Sequence, residues 1–351
     1  MKNHNNKHNL IKRNIVVFFL LLSQIIFAQL RFEKNNIWYE ITSISNSTVA
    51  VYSIANNYKG DITIPKNVEN DGITYEVKII DSDAFIGKKD ITSINIPSEV
   101  AFDYSYVEVF KDCSSLTSIK IPNGITSIGS GAFENCTSLT SITIPDSVTS
   151  IGSGAFKNCS SLTSIIIPDS VTSIGFLAFN NCRGLTSIKI PNGITSIDWK
   201  TFSGCSNLTS ITIPNSVISI SPAAFENCSS LTSITIPDSV TSIGRSAFRF
   251  CSSLTSIKIP NGITSIEDYT FEGCSNLTSI TIPNSVTFIK QYAFKDCNNL
   301  TTITCLANTP PDFYNILGFE SKNCIIKVPK ESADVYLSKR PWNSFKNILP
   351  F

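Results

Sequence analysis

The stretch CSSLTSIKIPNGITSIGSGAF, residues 113–133, decides the fold of this chain because it recurs nearly unchanged. It returns as CTSLTSITIPDSVTSIGSGAF at residues 136–156 and as CSSLTSIIIPDSVTSIGFLAF at residues 159–179. Nine cysteines, from Cys113 to Cys297, mark the copies at intervals of 23 residues. A fixed period between about 20 and 50 residues is typical of a solenoid, whose units bury their apolar sides only by stacking. Degenerate copies, ITSINIP at residues 91–97 and ITIP at residues 62–65, extend the array toward the N terminus.

The pattern inside one repeat predicts strands. In LTSIKIP, Leu116, Ile119 and Ile121 can face the core while Ser118 and Lys120 face outward, because strand side chains alternate. The proline that follows ends the strand by removing a hydrogen-bond donor from the ladder. Ile, Val and Thr dominate the repeat and favour strands over helices. We therefore predict a β-rich solenoid of 23-residue coils with low helix content.

The repeat resembles a known family. The pattern Leu-x-x-Ile-x-Ile-Pro, Val-x-x-Ile-Gly, Ala-Phe, x-x-Cys is similar to the 23-residue class of BspA-like leucine-rich repeats over roughly residues 80–304. The flanks WYEITSISNSTVAVYSIANNYKGDITIP and VPKESADVYLSKRPWNSFKNI resemble the caps of that family. The resemblance implies a β-rich N-terminal cap (residues 29–80), a leucine-rich repeat solenoid (81–304) and a C-terminal cap (305–351). It also implies adhesion to host matrix proteins or to other cells.

The first 28 residues have the features of a secretory signal peptide. Four basic and no acidic residues precede or flank the apolar run IVVFFLLLSQIIFA, which is short for a spanning helix. We predict cleavage near Ala28–Gln29, so that the mature protein is exported; an uncleaved N-terminal anchor is the alternative. Removing the leader changes the net charge from +1 to −3, since 24 basic residues then face 27 acidic ones. Such a surface argues against nucleic acid as a partner.

The cysteine column predicts packing. Equivalent residues on adjacent coils lie about 4.8 Å apart with parallel Cβ directions, whereas a disulfide needs converging ones. We therefore expect Cys113 to Cys297 to be small buried residues, and we expect a serine in their place to bury an unsatisfied hydroxyl. Cys305 and Cys324 lie outside the column, and the sequence leaves open whether they pair.

The sequence argues against an enzyme. Both histidines lie in the leader, so the mature chain has no Ser-His or Cys-His pair and no zinc-ligand spacing. The adjacent acids Glu267 and Asp268 are interpreted as an exposed turn, with a glycosidase-like pair as the open alternative. We expect neither a cofactor nor a metal ion.

The outward side of the strand sheet is the candidate binding surface for a protein or glycan partner. Lysine recurs there every 69 residues, or three coils, always within copied sequence. The alternative is a mainly structural or ice-binding solenoid, although the lysines and Ile166 interrupt the ranks that ice binding would need. The candidate contact residues are Lys120, Lys189, Lys258, Ser118, Thr143 and Thr212.

Overall fold

The computed structural model describes residues 30–102, 107–313 and 324–351. The predicted signal peptide lies outside these ranges. The described chain forms a β-solenoid of about 11 turns with the expected spacing of about 23 residues and little helix, which confirms the predicted fold. Each coil has a strand on a first side, a shorter strand on a second side and a tight bend on the third. The strands are numbered β1–β28 in chain order.

The first side of the solenoid carries parallel strands whose isoleucines point inward and whose Ser, Thr and Lys residues point outward. Pairing is in register, so that equivalent residues of successive coils lie side by side, as Ser141 and Ser164 do. The strands form three hydrogen-bonded segments, with the orders β4-β7-β9-β11-β13, β15-β17 and β19-β21-β23-β25-β27-β28. Their bounds are β4 (Gly60–Thr63), β7 (Ile91–Asn95), β9 (Ser118–Lys120), β11 (Ser141–Thr143), β13 (Ser164–Ile166), β15 (Ser187–Lys189), β17 (Ser210–Thr212), β19 (Ser233–Ile234), β21 (Ser256–Lys258), β23 (Ser279–Ile282), β25 (Thr302–Cys305), β27 (Ile325–Val328) and β28 (Asn347–Pro350).

The second side carries strands of two residues, also parallel and in register, and again with isoleucine inward in all but the last. They belong to the TSI segment that follows the turn after each Ile-Pro. Their bounds are β10 (Ser127–Ile128), β12 (Ser150–Ile151), β14 (Ser173–Ile174), β16 (Ser196–Ile197), β18 (Ser219–Ile220), β20 (Ser242–Ile243), β22 (Ser265–Ile266), β24 (Phe288–Ile289) and β26 (Asp312–Phe313).

The bend before each cysteine explains the asparagines of the repeat. Asn135 and Asn158 have φ values of 64° and 61°, a left-handed conformation that Asn and Gly adopt more readily than other residues. Their side chains also link successive coils, because Asn158 Nδ2 donates to Asn135 Oδ1 at 2.8 Å and Asn181 Nδ2 donates to Asn158 Oδ1 at 3.0 Å. The bend is therefore held by both backbone conformation and an asparagine ladder.

The core is built from columns of identical residues. Phenylalanines from Phe85 to Phe294 stack along the solenoid with ring centroids 5.2–5.8 Å apart, most of them nearly parallel. The cysteines, leucines and isoleucines of each coil are buried around this stack. The burial of Cys113 to Cys297 confirms the prediction that these cysteines are packing residues of the core.

Additional elements cover both ends of the array. At the N-terminal end, one sheet has the order β1-β2-β3-β6-β5, with β8 also paired to β6. Its strands are β1 (Arg31–Lys34), β2 (Ile37–Ser43), β3 (Thr48–Ile54), β5 (Asn67–Asn70), β6 (Ile73–Ile80) and β8 (Ala101–Phe102). β4 lies between them in sequence, yet it pairs with β7 in the first side of the solenoid.

At the C-terminal end, β27 and β28 continue the first side beyond the last cysteine coil. One α-helix, α1 (Ala333–Ser338), lies between two 3-10 turns, Lys330–Ser332 and Trp342–Ser344. Trp342 is fully buried, and its Nε1 donates to the Pro311 carbonyl at 2.8 Å. Phe345 is half-buried against the same core. Both aromatic residues therefore pack against the core at the C-terminal end of the array.

Candidate binding surface

The six candidate residues lie on the exposed side of the first sheet. The register places Lys120 beside Thr143 and Lys189 beside Thr212, and Ser118 lies two residues from Lys120 on β9. All six side chains are exposed. The structure thus brings neighbours together on adjacent coils, whereas the three lysines stand three coils, or about 14 Å, from one another.

The hydroxyl groups of this surface fall into two kinds. The threonines one position before the strand residues bond within the solenoid; Thr140 Oγ1, for example, donates to the Thr117 carbonyl at 3.4 Å. Across residues 107–313, no intramolecular hydrogen bond engages the side chains of Ser118, Thr143 or Thr212. Those hydroxyl groups are therefore available to a ligand.

Two of the three lysines are paired with an acid of the preceding coil. Lys258 Nζ lies 3.0 and 3.3 Å from the two carboxylate oxygens of Asp238, and Lys189 Nζ lies 3.6 Å from Asp169 Oδ1. The equivalent position before Lys120 is Ser98, because Lys120 pairs with Asn95 and that coil is two residues longer than the repeat. The sequence analysis did not identify these two pairs, although their common separation of 20 residues is visible in the sequence. Exposed pairs of this kind contribute about 0–1 kcal/mol, so a partner can compete for them.

The charged residues on the bend side form ion pairs with one another and so stabilise the fold. Glu134 lies between Lys157, at 2.8 Å, and Lys111, at 3.6 Å, while buried Glu272 pairs with Arg249 and Lys295. These pairs link successive coils and satisfy the acids internally.

The acids at the possible glycosidase site are also engaged within the protein. Lys290 Nζ lies 2.7 Å from Glu267 Oε2, and Asp268 Oδ1 accepts a hydrogen bond from the Gln291 backbone N–H. Elsewhere in the described ranges, no cluster of three or more His, Cys, Asp and Glu residues could hold a metal ion. None of the described helices is long and apolar enough to cross a membrane.

The cysteine column has a bonding role that the sequence did not reveal. Each Sγ donates to a phenylalanine carbonyl of the preceding coil, as Cys205 does to Phe179 at 3.2 Å and Cys159 to Phe133 at 3.1 Å. The expectation that a serine here would bury an unsatisfied hydroxyl did not take this carbonyl into account. Burial raises the pKa of Cys205 to about 12, so the thiols remain protonated. Cys305 and Cys324 are free thiols as well.

Two exposed aromatic rings form a surface feature that the sequence analysis did not identify. Phe176 and Trp199 are 49% and 45% exposed, and their ring centroids lie 6.3 Å apart at the corner after the second-side strand. We call them the ring pair. The sequence does show that these two residues lie one repeat apart, at a position that two earlier repeats fill with serine, Ser130 and Ser153.

The coil geometry, the in-register parallel strands and the buried leucine, phenylalanine and cysteine columns define a leucine-rich repeat solenoid. Residues 61–186, 104–232 and 195–311 match the BspA type Leucine rich repeat region, and the chain belongs to this family. Its solenoids are generally non-catalytic binding scaffolds.

Two solved structures are similar over most of their length. A leucine-rich repeat protein from Bacteroides ovatus is 28% identical, with a TM-score of 0.70, over 91% of this chain and 88% of that one. A leucine rich cell surface protein from Faecalibacterium prausnitzii is 27% identical, with a TM-score of 0.50, over 91% and 94%. A comparison with curated proteins gave no match.

Proposed function

We propose that this protein is exported and acts at the cell surface, or as a secreted protein, as an adhesion module that binds a partner protein. The binding surface is the outward side of the first sheet. The observation that supports this most directly is the column of exposed Ser, Thr and Lys side chains whose hydroxyl groups are free of intramolecular bonds. The solenoid core does not need these side chains, because the inward isoleucines form the buried face of the sheet.

The surface location rests on two further observations. The first 28 residues have the composition of a signal peptide. The similar protein from Faecalibacterium prausnitzii is itself described as a cell surface protein. Family membership supports a repeat-based binding role.

The chemistry of the surface predicts modest affinity at each lysine–aspartate pair and a higher overall affinity because the pair is repeated. Lys189 and Lys258, with their acids Asp169 and Asp238, form two equivalent stations three coils apart. A partner carboxylate that replaces either aspartate gains a charged contact but displaces an existing one, so the net contribution of each station is small. Two stations held on one rigid sheet raise the effective concentration for a partner that can reach both.

The test measures binding of the exported chain to immobilised extracellular matrix proteins and to intact cells. The test variant changes Lys120, Lys189 and Lys258 together to Ala. Its control changes three exposed lysines away from this sheet face, Lys34, Lys330 and Lys346, so that the net charge is the same in both variants. Circular dichroism and thermal unfolding verify that both remain folded.

We expect saturable binding by the parent chain and the control, and weaker binding by the test variant. Equal binding by all three proteins would contradict the assignment of the surface. Failure of the parent chain to bind any matrix protein or cell would contradict adhesion and favour a structural solenoid.

A further inference from the structure

The ring pair lies on a different surface from the lysines. Phe176 and Trp199 occupy the same position of two successive coils, and Pro222, also exposed, occupies it in the next. The residues at this position in the other cysteine coils are Val107, Ser130, Ser153, Arg245, Asp268 and Gln291. Since serine supports the same bend, the fold does not require an aromatic ring at this position.

The residue that follows each ring has a left-handed backbone, with a φ of 59° at Leu177 and of 53° at Lys200. This conformation belongs to the bend of the repeat, because the residue at the same position has a positive φ in the other cysteine coils as well, whether it is glycine or another residue. The exposed rings therefore distinguish these two coils, and the backbone does not.

The surface beside the ring pair is rich in hydroxyl groups. An open groove of about 550 Å³ begins at Pro222 and runs along the same corner of the following coils. Its lining includes Ser219, Ser221, Thr241, Ser242, Thr264 and Ser265. In the coils of the ring pair, the equivalent exposed residues are Thr172, Ser173 and Thr195. Aromatic faces therefore adjoin a surface rich in hydroxyl groups, which the exposed Ile218 interrupts between Thr195 and Thr241.

The charges nearest the rings are engaged within the protein. Lys200 Nζ lies 5.4 Å from the centre of the Trp199 ring and 3.5 Å from Glu226 Oε2. Asp198 Oδ1 accepts a hydrogen bond from Ser196 Oγ at 2.8 Å. The groove is also lined by Arg245, Glu267 and Asp268; Glu267 pairs with Lys290, and Asp268 accepts a hydrogen bond from the Gln291 backbone N–H. A ligand at the ring pair consequently meets aromatic faces and hydroxyl groups, with Arg245 as the cation of the adjoining groove.

From this combination we infer that the ring pair and the adjoining groove bind an uncharged glycan. Sugar rings have apolar C–H faces, which pack on Phe176 and Trp199, and a rim of hydroxyl groups, which hydrogen-bond the Ser and Thr residues. A second copy of the chain fits less well. Two half-exposed rings offer roughly 200 Å², whereas a stable protein interface needs about 800 Å² on each partner.

The experiment uses the exported chain and a panel of neutral polysaccharides, namely β-glucan, α-glucan, xylan and mannan. Retardation in polysaccharide-containing native gels identifies the ligand, and calorimetry then measures its affinity. The test variants are Phe176→Ser and Trp199→Ser, because serine at this position already occurs in folded coils. Trp38→Ser is the matched control, since Trp38 is 40% exposed on the N-terminal sheet.

We expect at least one neutral polysaccharide to retard the parent chain and Trp38→Ser equally, at low and high salt. Trp199→Ser should bind about tenfold more weakly, equivalent to about 1.4 kcal/mol. Absence of binding across the panel, or equal binding by the parent chain and Trp199→Ser, would overturn the inference. Loss of matrix-protein binding in Trp199→Ser, without any glycan binding, would instead identify the ring pair as a protein interface. The lysine variants do not enter this test, so its outcome is independent of the adhesion surface.

Discussion

Raising the pH above about 9 should unfold this protein through its buried cysteines. Burial raises the pKa of Cys205, Cys251 and Cys297 to about 12 and shifts the remaining column cysteines in the same direction. In the unfolded chain each thiol returns to its ordinary pKa of 9.0. Between these values the unfolded state has released the proton and the folded state has kept it. Folding stability therefore falls as the pH rises through this window.

The magnitude follows from the number of thiols. An unfolded thiol with a pKa of 9.0 releases on average about half a proton between about pH 8.5 and 9.5, which favours unfolding by about 0.7 kcal/mol. Nine column cysteines act together, so the free energy of unfolding should fall by about 6 kcal/mol over that one pH unit. This loss is comparable to the whole stability of many domains, which is about 5–15 kcal/mol.

The assay is urea unfolding followed by circular dichroism at about pH 7.5, 8.5 and 9.5, with a reductant present. Little change is expected between the first two values and a large fall between the last two. Thiolate absorbance should appear together with the loss of secondary structure. Burial raises the pKa values of Cys305 and Cys324 from the same ordinary value of 9.0, so these two thiols titrate in the same window and add about 1.4 kcal/mol to the fall. Tyr39, Tyr336 and Lys290, whose pKa values are also raised, have ordinary values of 10.0 or above and titrate later.

The matched variant replaces Cys182, Cys205 and Cys228 with Ala. It should be less stable at neutral pH, because buried volume and three thiol-to-carbonyl bonds are lost. Its pH dependence should nevertheless be about one quarter smaller than that of the parent chain, since three of the eleven titrating thiols are gone. A stability that is the same at the last two pH values, or the same slope in both proteins, would refute the reasoning.

Three further predictions concern the fold and export. Truncation after Thr304 removes Trp342 and the strands that cover β25, so the exposed strand edge should cause aggregation in size-exclusion chromatography; a monomeric, equally stable product would contradict this. Asn158→Ala should lower the free energy of unfolding by about 1–3 kcal/mol, because the left-handed backbone is disfavoured and two ladder hydrogen bonds are lost; the exposed change Thr143→Ala is its control and should have little effect. Mass spectrometry of secreted protein should show an N terminus at Gln29, and retention of the leader would support the anchor instead.

The candidate lysine surface illustrates how far the sequence reaches. Strand alternation placed Lys120, Thr143 and Lys189 outward, and a period of 23 residues placed them in one column; the structure has both features. The period compares only residues at equivalent positions. The Lys258–Asp238 pair joins residues 20 apart, and the Cys205–Phe179 bond joins residues 26 apart. Such contacts depend on the direction in which each side chain extends toward the neighbouring coil, and strand alternation does not specify that direction.

The sequence by itself determined the solenoid, its coil length, the buried cysteine and phenylalanine columns and the outward residues of the first sheet. It could do so because each coil packs on a near-copy of itself, so one repeat fixes the environment of every other. Only the tertiary structure decided where irregular residues meet. It brought Trp342 into hydrogen-bond contact with the Pro311 carbonyl and set Phe176 against Trp199 at an exposed corner. These contacts have no second copy in the chain from which to infer them, and they depend on the shape of the bends and ends against which they pack.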